Sequence, residues 1–124
     1  MAESKGYIKN NDTKGSINIS EDVVAVIAAS ATMEVEGVQG LFYSAGKELV
    51  SMVSKKGLSR GVRLHIDGDN VAIDVYILAE IGYPVSDVGA DVQKAIISAV
   101  EAAVGVTVTA VNVHICGVSL RKNA

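Results

Sequence analysis

Two runs of strict alternation occupy the middle of the chain. In "GVRLHIDGDNVAIDVYILAEIG", residues 61–82, Val62, Leu64 and Ile66 alternate with Arg63, His65 and Asp67. Beyond "DGDN", Val71, Ile73, Val75, Ile77 and Ala79 alternate with Ala72, Asp74, Tyr76, Leu78 and Glu80. A period of two on both sides of a turn sequence predicts a β-hairpin with one buried face. The period then lengthens. In "VSDVGADVQKAIISAVEAAVG", residues 85–105, Val88, Val92, Ala95, Ile96, Ala99 and Ala103 fall on one stripe, with Asp87, Asp91, Lys94, Ser98 and Glu101 largely off it. That is helical spacing, with Pro84 suited to the first turn and Gly105 to the end. The last segment, "VTVTAVNVHICGV", alternates again, but Val106 and Val108 are out of phase with Val111, Val113 and Ile115, which predicts a bulge near Thr109-Ala110.

The first half is less regular. "GSINI", residues 15–19, reads as a short strand. Ser20 then stands as a helix N-cap, and Glu21 and Asp22 sit at the positive end of the helix dipole. The helix "EDVVAVIAASATMEV" is apolar around nearly its whole circumference, so deep burial is expected, with Gly37 ending it. "VQGLFYS" fits a short strand. "AGKELVSMVSKK", with Leu49, Met52 and Val53 on one side, fits a short helix, and the two readings leave residues 38–56 open between strand and helix. Strand–helix–strand at the end of the chain is a βαβ unit and pairs in parallel, whereas the hairpin pairs antiparallel. The expected fold is therefore α+β: a small mixed β-sheet, built from the hairpin and the βαβ unit, with two main helices packed on one face. Residues 1–14 read as a flexible tail, 15–120 as a single α+β domain and 121–124 as a short C-terminal tail.

Composition narrows the function. The chain has 124 residues, 49% hydrophobic and 20% charged, with mean hydropathy +0.35, a globular composition. A net charge of −3 is not the electrostatic footprint of a nucleic-acid binder. One cysteine, Cys116, cannot form an internal disulfide and points to a reducing compartment. The polar start has no signal-peptide core, and no uncharged apolar run approaches the ~20 residues of a membrane span. A cytoplasmic protein is expected.

Four features have candidate chemistry. The first is "GVQG", Gly37 to Gly40, which has the spacing of the GXXG loop that KH domains place between two helices to grip RNA phosphates. It has no Lys or Arg and follows Glu34 and Glu36, whose charge repels phosphate, so a helix stop and tight turn is the preferred reading and a KH-like RNA-binding domain the alternative. The second is a basic stretch of Lys47, Lys55, Lys56 and Arg60, continued by Arg63, for which a solvated surface beside a loop is the preferred reading and contact with an acidic partner or anionic lipid headgroups the alternative. The third is His114 with Cys116, two apart on a strand, whose imidazole and sulfur suit zinc or copper. A structural zinc site wants four ligands, and no CxxC or HxxxH is present, so polar residues on a half-exposed sheet face are the preferred reading. The same pair makes a poor nucleophilic couple, because same-strand neighbours do not adopt attack geometry. GxSxG, P-loop and GxGxxG motifs are all missing. No catalytic residue, cofactor or metal is expected. The fourth feature is the sheet face turned away from the helices, which would show Arg63, His65, Tyr76, Leu78, Asn112, His114 and Cys116. That amphipathic mixture fits a protein-contact surface as well as it fits an ordinary solvated antiparallel face.

Taken in order, "GSINISEDVVAVIAA", "EVEGVQG", "KGLSRGV", "VAIDVYILAEIGYPVSDVGADVQKAI" and "VNVHICGV" resemble the alkaline shock protein family, envelope stress response proteins of Gram-positive bacteria, over about residues 15–118. The resemblance implies a small cytoplasmic protein without catalytic residues, acting in cell-envelope homeostasis and stress resistance through self-association and protein partners. Some members gather at the membrane periphery by binding a membrane-anchored partner, and others are linked to control of fatty-acid synthesis through acetyl-CoA carboxylase.

Overall fold

A computed structural model of the chain describes residues 7–12, 15–45, 48–50 and 61–119. Strand β1 (Tyr7–Asp12) pairs antiparallel with β2 (Gly15–Ser20), so six residues assigned to a loose tail by their polarity form a strand instead. Ser20 ends β2 and caps helix α1 (Glu21–Met33), its hydroxyl accepting a hydrogen bond from the Val23 N–H. The α1 helix stops at Met33, four residues before Gly37, which adopts φ +96° in the turn that follows. Only Val24, Ala25, Ala28, Ala29 and Thr32 are buried on it, while Val23, Val26 and Met33 face outward. The largely buried helix expected from its composition is thus corrected to one with a single buried stripe, because among the described residues α1 has protein on one side alone. Buried Thr32 satisfies its hydroxyl internally, donating to the Ala28 carbonyl at 2.8 Å.

Residues 38–45 are extended: β3 (Val38–Leu41) is followed by β4 (Tyr43–Ala45), which pairs antiparallel with β5 (Glu48–Val50). The short helix expected over 45–56 is therefore absent at 45 and 48–50, and its remainder lies outside the described residues.

The hairpin forms as its alternation requires, from β6 (Val62–Asp67) and β7 (Asn70–Glu80). Helix α2 (Val85–Val104) follows, with Pro84 as its N-cap residue and Gly105 closing it in the left-handed region. The chain returns through β8 (Thr107–Ser119), parallel to β7. The sheet is mixed and β7 is its centre: β8 runs along one edge, while β6 and β3 share the other end to end, β6 against 70–75 and β3 against 77–79. The bulge expected near Thr109 is present, and a second falls at Cys116. Thr109 Oγ1 donates to the Val71 carbonyl, using the extra residue to serve a group near the interrupted ladder.

Both helices cover one face. Val71, Ile73, Val75 and Ile77 of β7 meet Val24, Ala25, Ala28 and Ala29 of α1 and Val88, Val92, Ile96, Val100 and Val104 of α2. The α2 stripe runs through Val100 and Val104; Ala95 and Ala99 flank it and Ala103 is exposed.

Candidate functional site

The face of the sheet away from the helices is where the chain's polar strand residues converge. The register sets them in rows across β6, β7 and β8. Arg63, Asp74 and Asn112 form one row, Tyr76 and His114 lie in the next, and His65 stands beside Ala72 and Ala110 in the row on the other side. The two alanines leave His65 room to lean across to the neighbouring row, and its Nε2 lies 3.1 Å from Asp74 Oδ2. Asn112 Nδ2 donates to Asp74 Oδ1 at 3.0 Å, and His114 Nε2 approaches the same oxygen at 3.4 Å. One carboxylate therefore holds side chains from both flanking strands. An ionised carboxylate only accepts, so both imidazoles present Nε2–H to it and turn Nδ1 outward. His114 in turn stacks on Tyr76, centroids 4.5 Å apart and planes within 12°.

Burial sorts these groups by role. The Asp74 side chain is 18% exposed, beneath His65 at 66% and His114 at 46%. The carboxylate is a shielded hub, and the rings above it meet solvent. Desolvation pushes the Asp74 carboxyl upward. The hydrogen bonds from Asn112, His65 and His114, with the charge of His114, outweigh that and hold it below the usual carboxylate value. A carboxyl with a lowered folded-state pKa adds stability above its unfolded value of about 3.9 and loses it as pH falls through the folded value. Thermal melts of wild type and Asp74→Asn from neutral to strongly acid pH will therefore show a wild-type advantage of about 1 kcal/mol near neutrality, closing below the ordinary carboxylate range.

The sequence-derived surface residues Arg63, His65, Tyr76, Leu78, Asn112 and His114 all lie on these strands, and the structure draws His65, Asn112 and His114 onto one carboxylate. Sequence reasoning missed the organiser, Asp74, which sat unremarked in the β7 alternation. Cys116 is set apart by the second bulge: it is exposed, and its thiol is 3.7 Å from the His114 carbonyl rather than from an imidazole nitrogen, with burial raising its pKa. The His114–Cys116 pairing thus does not form, and among the described residues no three His, Cys, Asp or Glu side chains are placed to hold a metal ion. Leu78 lies over Gly117, with Cδ2 3.2 Å from where a Cβ would stand. Beside the cluster, an open depression of about 340 Å³ is lined by Glu21, Asp22, Ala25, Val62, Arg63, Leu64 and His65.

The "GVQG" segment has no phosphate-gripping geometry. A GXXG loop joins two helices, but residues 38–41 are strand β3, paired with β7, and Gly37 and Gly40 are buried. The Gly37 carbonyl accepts from the Glu80 N–H at 2.7 Å. The basic candidates Lys47, Lys55, Lys56 and Arg60 lie outside the described residues. No helix among those residues is long and apolar enough to cross a membrane.

Comparison with known proteins adds the relatives. The model of a family with a cell envelope-related function matches residues 9–120, consistent with the alkaline shock protein family. The uncharacterized protein YloU of Bacillus subtilis (strain 168) is 32% identical over 84% of this chain and 88% of its own length. The uncharacterized protein Spy1535 of Streptococcus pyogenes serotype M6 is 36% identical over 87% of this chain and 82% of its own. Among solved structures, one MamM CTD variant overlays on 83% of this chain and 100% of that chain, with TM-score 0.49 and 16% identity.

Proposed function

The chain belongs to the alkaline shock protein family, whose function is cell envelope-related, and from that premise we propose that it is a non-catalytic interaction module of envelope homeostasis and stress resistance. It acts by self-association and by docking its open sheet face onto a protein partner. The observation that supports this reading is the Asp74 hub. A carboxylate that fixes His65, Asn112 and His114, with Tyr76 stacked on one ring, presents a surface whose side chains are ordered before any partner arrives. Pre-ordering lowers the entropy cost of association, and half-buried Tyr76 with exposed His65 and His114 offers amphipathic contact area. The partner in this reading is a protein anchored in the membrane, which holds the cytoplasmic chain at the membrane periphery, or an enzyme of fatty-acid synthesis. No nucleic acid takes part.

The test is affinity capture from native cells, with solubilised membranes and soluble extract as separate arms. Wild type is compared with a Tyr76→Glu, Leu78→Glu double variant whose fold is checked by its melt. Loss of most partner recovery is expected, since two carboxylates placed in an apolar contact each cost several-fold or more in affinity. Unchanged recovery by a folded variant refutes docking through this face. The arm in which the partner appears separates the membrane anchor from the metabolic enzyme.

A further inference from the structure

The outer edge of β8 is covered along half its length. Consecutive strand residues turn their backbone groups to opposite edges, and each bulge resets the count. Thr107 N–H donates to the Asp69 carbonyl and the Ser119 carbonyl accepts from Ile81 N–H, so 107 and 119 face inward, toward the β7 side. Val108 and Val111 face outward, and α2 reaches down to both: Glu101 Oε2 accepts from the Val108 N–H at 2.9 Å, and Gln93 Nε2 donates to the Val111 carbonyl at 3.0 Å. Past the two bulges, the same count turns Val113, Ile115 and Val118 outward. Among the described residues nothing meets their outer N–H and C=O groups.

The cover stops for a visible reason. Gln93 and Glu101 lie two turns apart on one side of α2, and the next position of that row toward the N-terminus is Gly89, where an added Cβ would meet nothing within 4 Å. Of the usual protections of an edge strand β8 has its two bulges, but neither proline nor charge. Thr107–Ser119 has no Pro, Lys, Arg, Asp or Glu, and Val118 is 56% exposed. A strand without Lys, Arg, Asp or Glu, whose one histidine is turned onto Asp74, has little to repel itself when laid antiparallel against its own sequence about a two-fold axis.

We propose that residues 112–119 of β8 pair antiparallel with the same segment of a second copy of this chain, joining two sheets into one. The proposal rests on the reading of the chain as a self-associating module and assigns that association to an edge distinct from the Asp74 face, which stays free in the dimer.

Sedimentation over a micromolar to millimolar series tests it. Wild type dimerises. Val118→Pro removes an outward N–H while leaving the bonds to β7 in place, and Gly89→Gln extends the capping row over the open edge. Each raises the dimer dissociation constant at least ~tenfold, with an unchanged monomer melt; Val118→Lys does the same should the proline variant fail to fold. Tyr76→Glu leaves the dimer intact. A wild type that stays monomeric throughout overturns the edge assignment, as does a dimer indifferent to Val118→Pro and Val118→Lys. A dimer lost only on Tyr76→Glu moves self-association to the open face, sinking the edge while leaving the interaction-module reading standing. Loss of partner capture with the β8 dimer intact supports the edge and bears on the Asp74 face alone.

Discussion

Ile96→Ala will destabilise the protein by about 3–4 kcal/mol, within the range for removing an Ile side chain from a packed core. Ile96 is fully buried at the middle of the α2 stripe, and its buried companions there, Val88, Val92, Val100 and Val104, are all smaller. What surrounds it matters as much as what is removed. The core is built from Val, Ile and Ala with Leu41, and β-branched side chains have few rotamers with which to swing into a void. The cavity will stay largely open, placing the cost in the upper half of the range, offset by a few tenths of a kcal/mol from alanine's helix propensity. For a chain of this size that is a melting-temperature drop of about 10–15 °C. Ile97→Ala is the matched control. Ile97 is 36% exposed, so the same deletion one residue along will cost under ~1 kcal/mol. Denaturant titration of the pair reads the difference directly, and comparable losses at 96 and 97 would remove α2 as the lid of this core.

The same short side chains explain which parts of the fold were legible. Hairpin and α2 each repeat one period over many residues, so their faces follow from counting, and the phase slip between Val108 and Val111 marks the first bulge. α1 was misread in depth because Val, Ala and Ile surround it. Composition says that a helix can be buried all round, whereas only the count of neighbouring elements says that it is, and here α1 has one covered side. Leu49 stands at a spacing open to helix or strand, and the pairing of Tyr43–Ala45 with Glu48–Val50 makes both segments strands. Tyr7–Asp12 is polar, and its strand depends on a partner, β2, that local pattern cannot supply.

The site was legible as a surface but not as a network. Alternation places Arg63, His65, Tyr76, Asn112 and His114 on one face, yet says nothing about which of them touch. The missing step was register. Once Asp67 opposes Asn70, the hairpin puts Asp74 opposite Arg63 and diagonal to His65, within reach of a long side chain. The β8 register then sets Asn112 at its other side. A carboxylate between two histidine-bearing strands was therefore recoverable from the turn position together with the bulge. The second bulge leaves the same mark, since Val118 stands three residues after Ile115 as Val111 does after Val108, but a single apolar residue follows that slip, and it is this bulge that separates Cys116 from His114.

Gly37→Ala carries the other large effect, about 2–5 kcal/mol, and it tests what "GVQG" is for. Two costs add there. Gly37 has φ +96°, a backbone state that an L side chain adopts only at a penalty of about 1–2 kcal/mol. Its missing Cβ would also stand 2.6 Å from Val88 Cγ2 and 3.1 Å from Tyr83 Cγ, where the start of α2 packs over the turn, and overpacking of this kind costs about 1–3 kcal/mol. Gly105→Ala separates the two terms: φ is +81° and a Cβ would meet nothing within 4 Å, so that variant pays for conformation alone. The excess at Gly37 is the clash, and Val88→Ala in the Gly37→Ala background will recover part of it, giving a favourable coupling between two positions 51 residues apart. Equal losses at Gly37 and Gly105, with no coupling to Val88, would mean that α2 does not rest on the turn. A glycine held against Val88 and Tyr83, with its carbonyl given to Glu80, has its backbone committed inside the fold, which is why a phosphate-binding spacing here serves to close the helix layer onto the sheet.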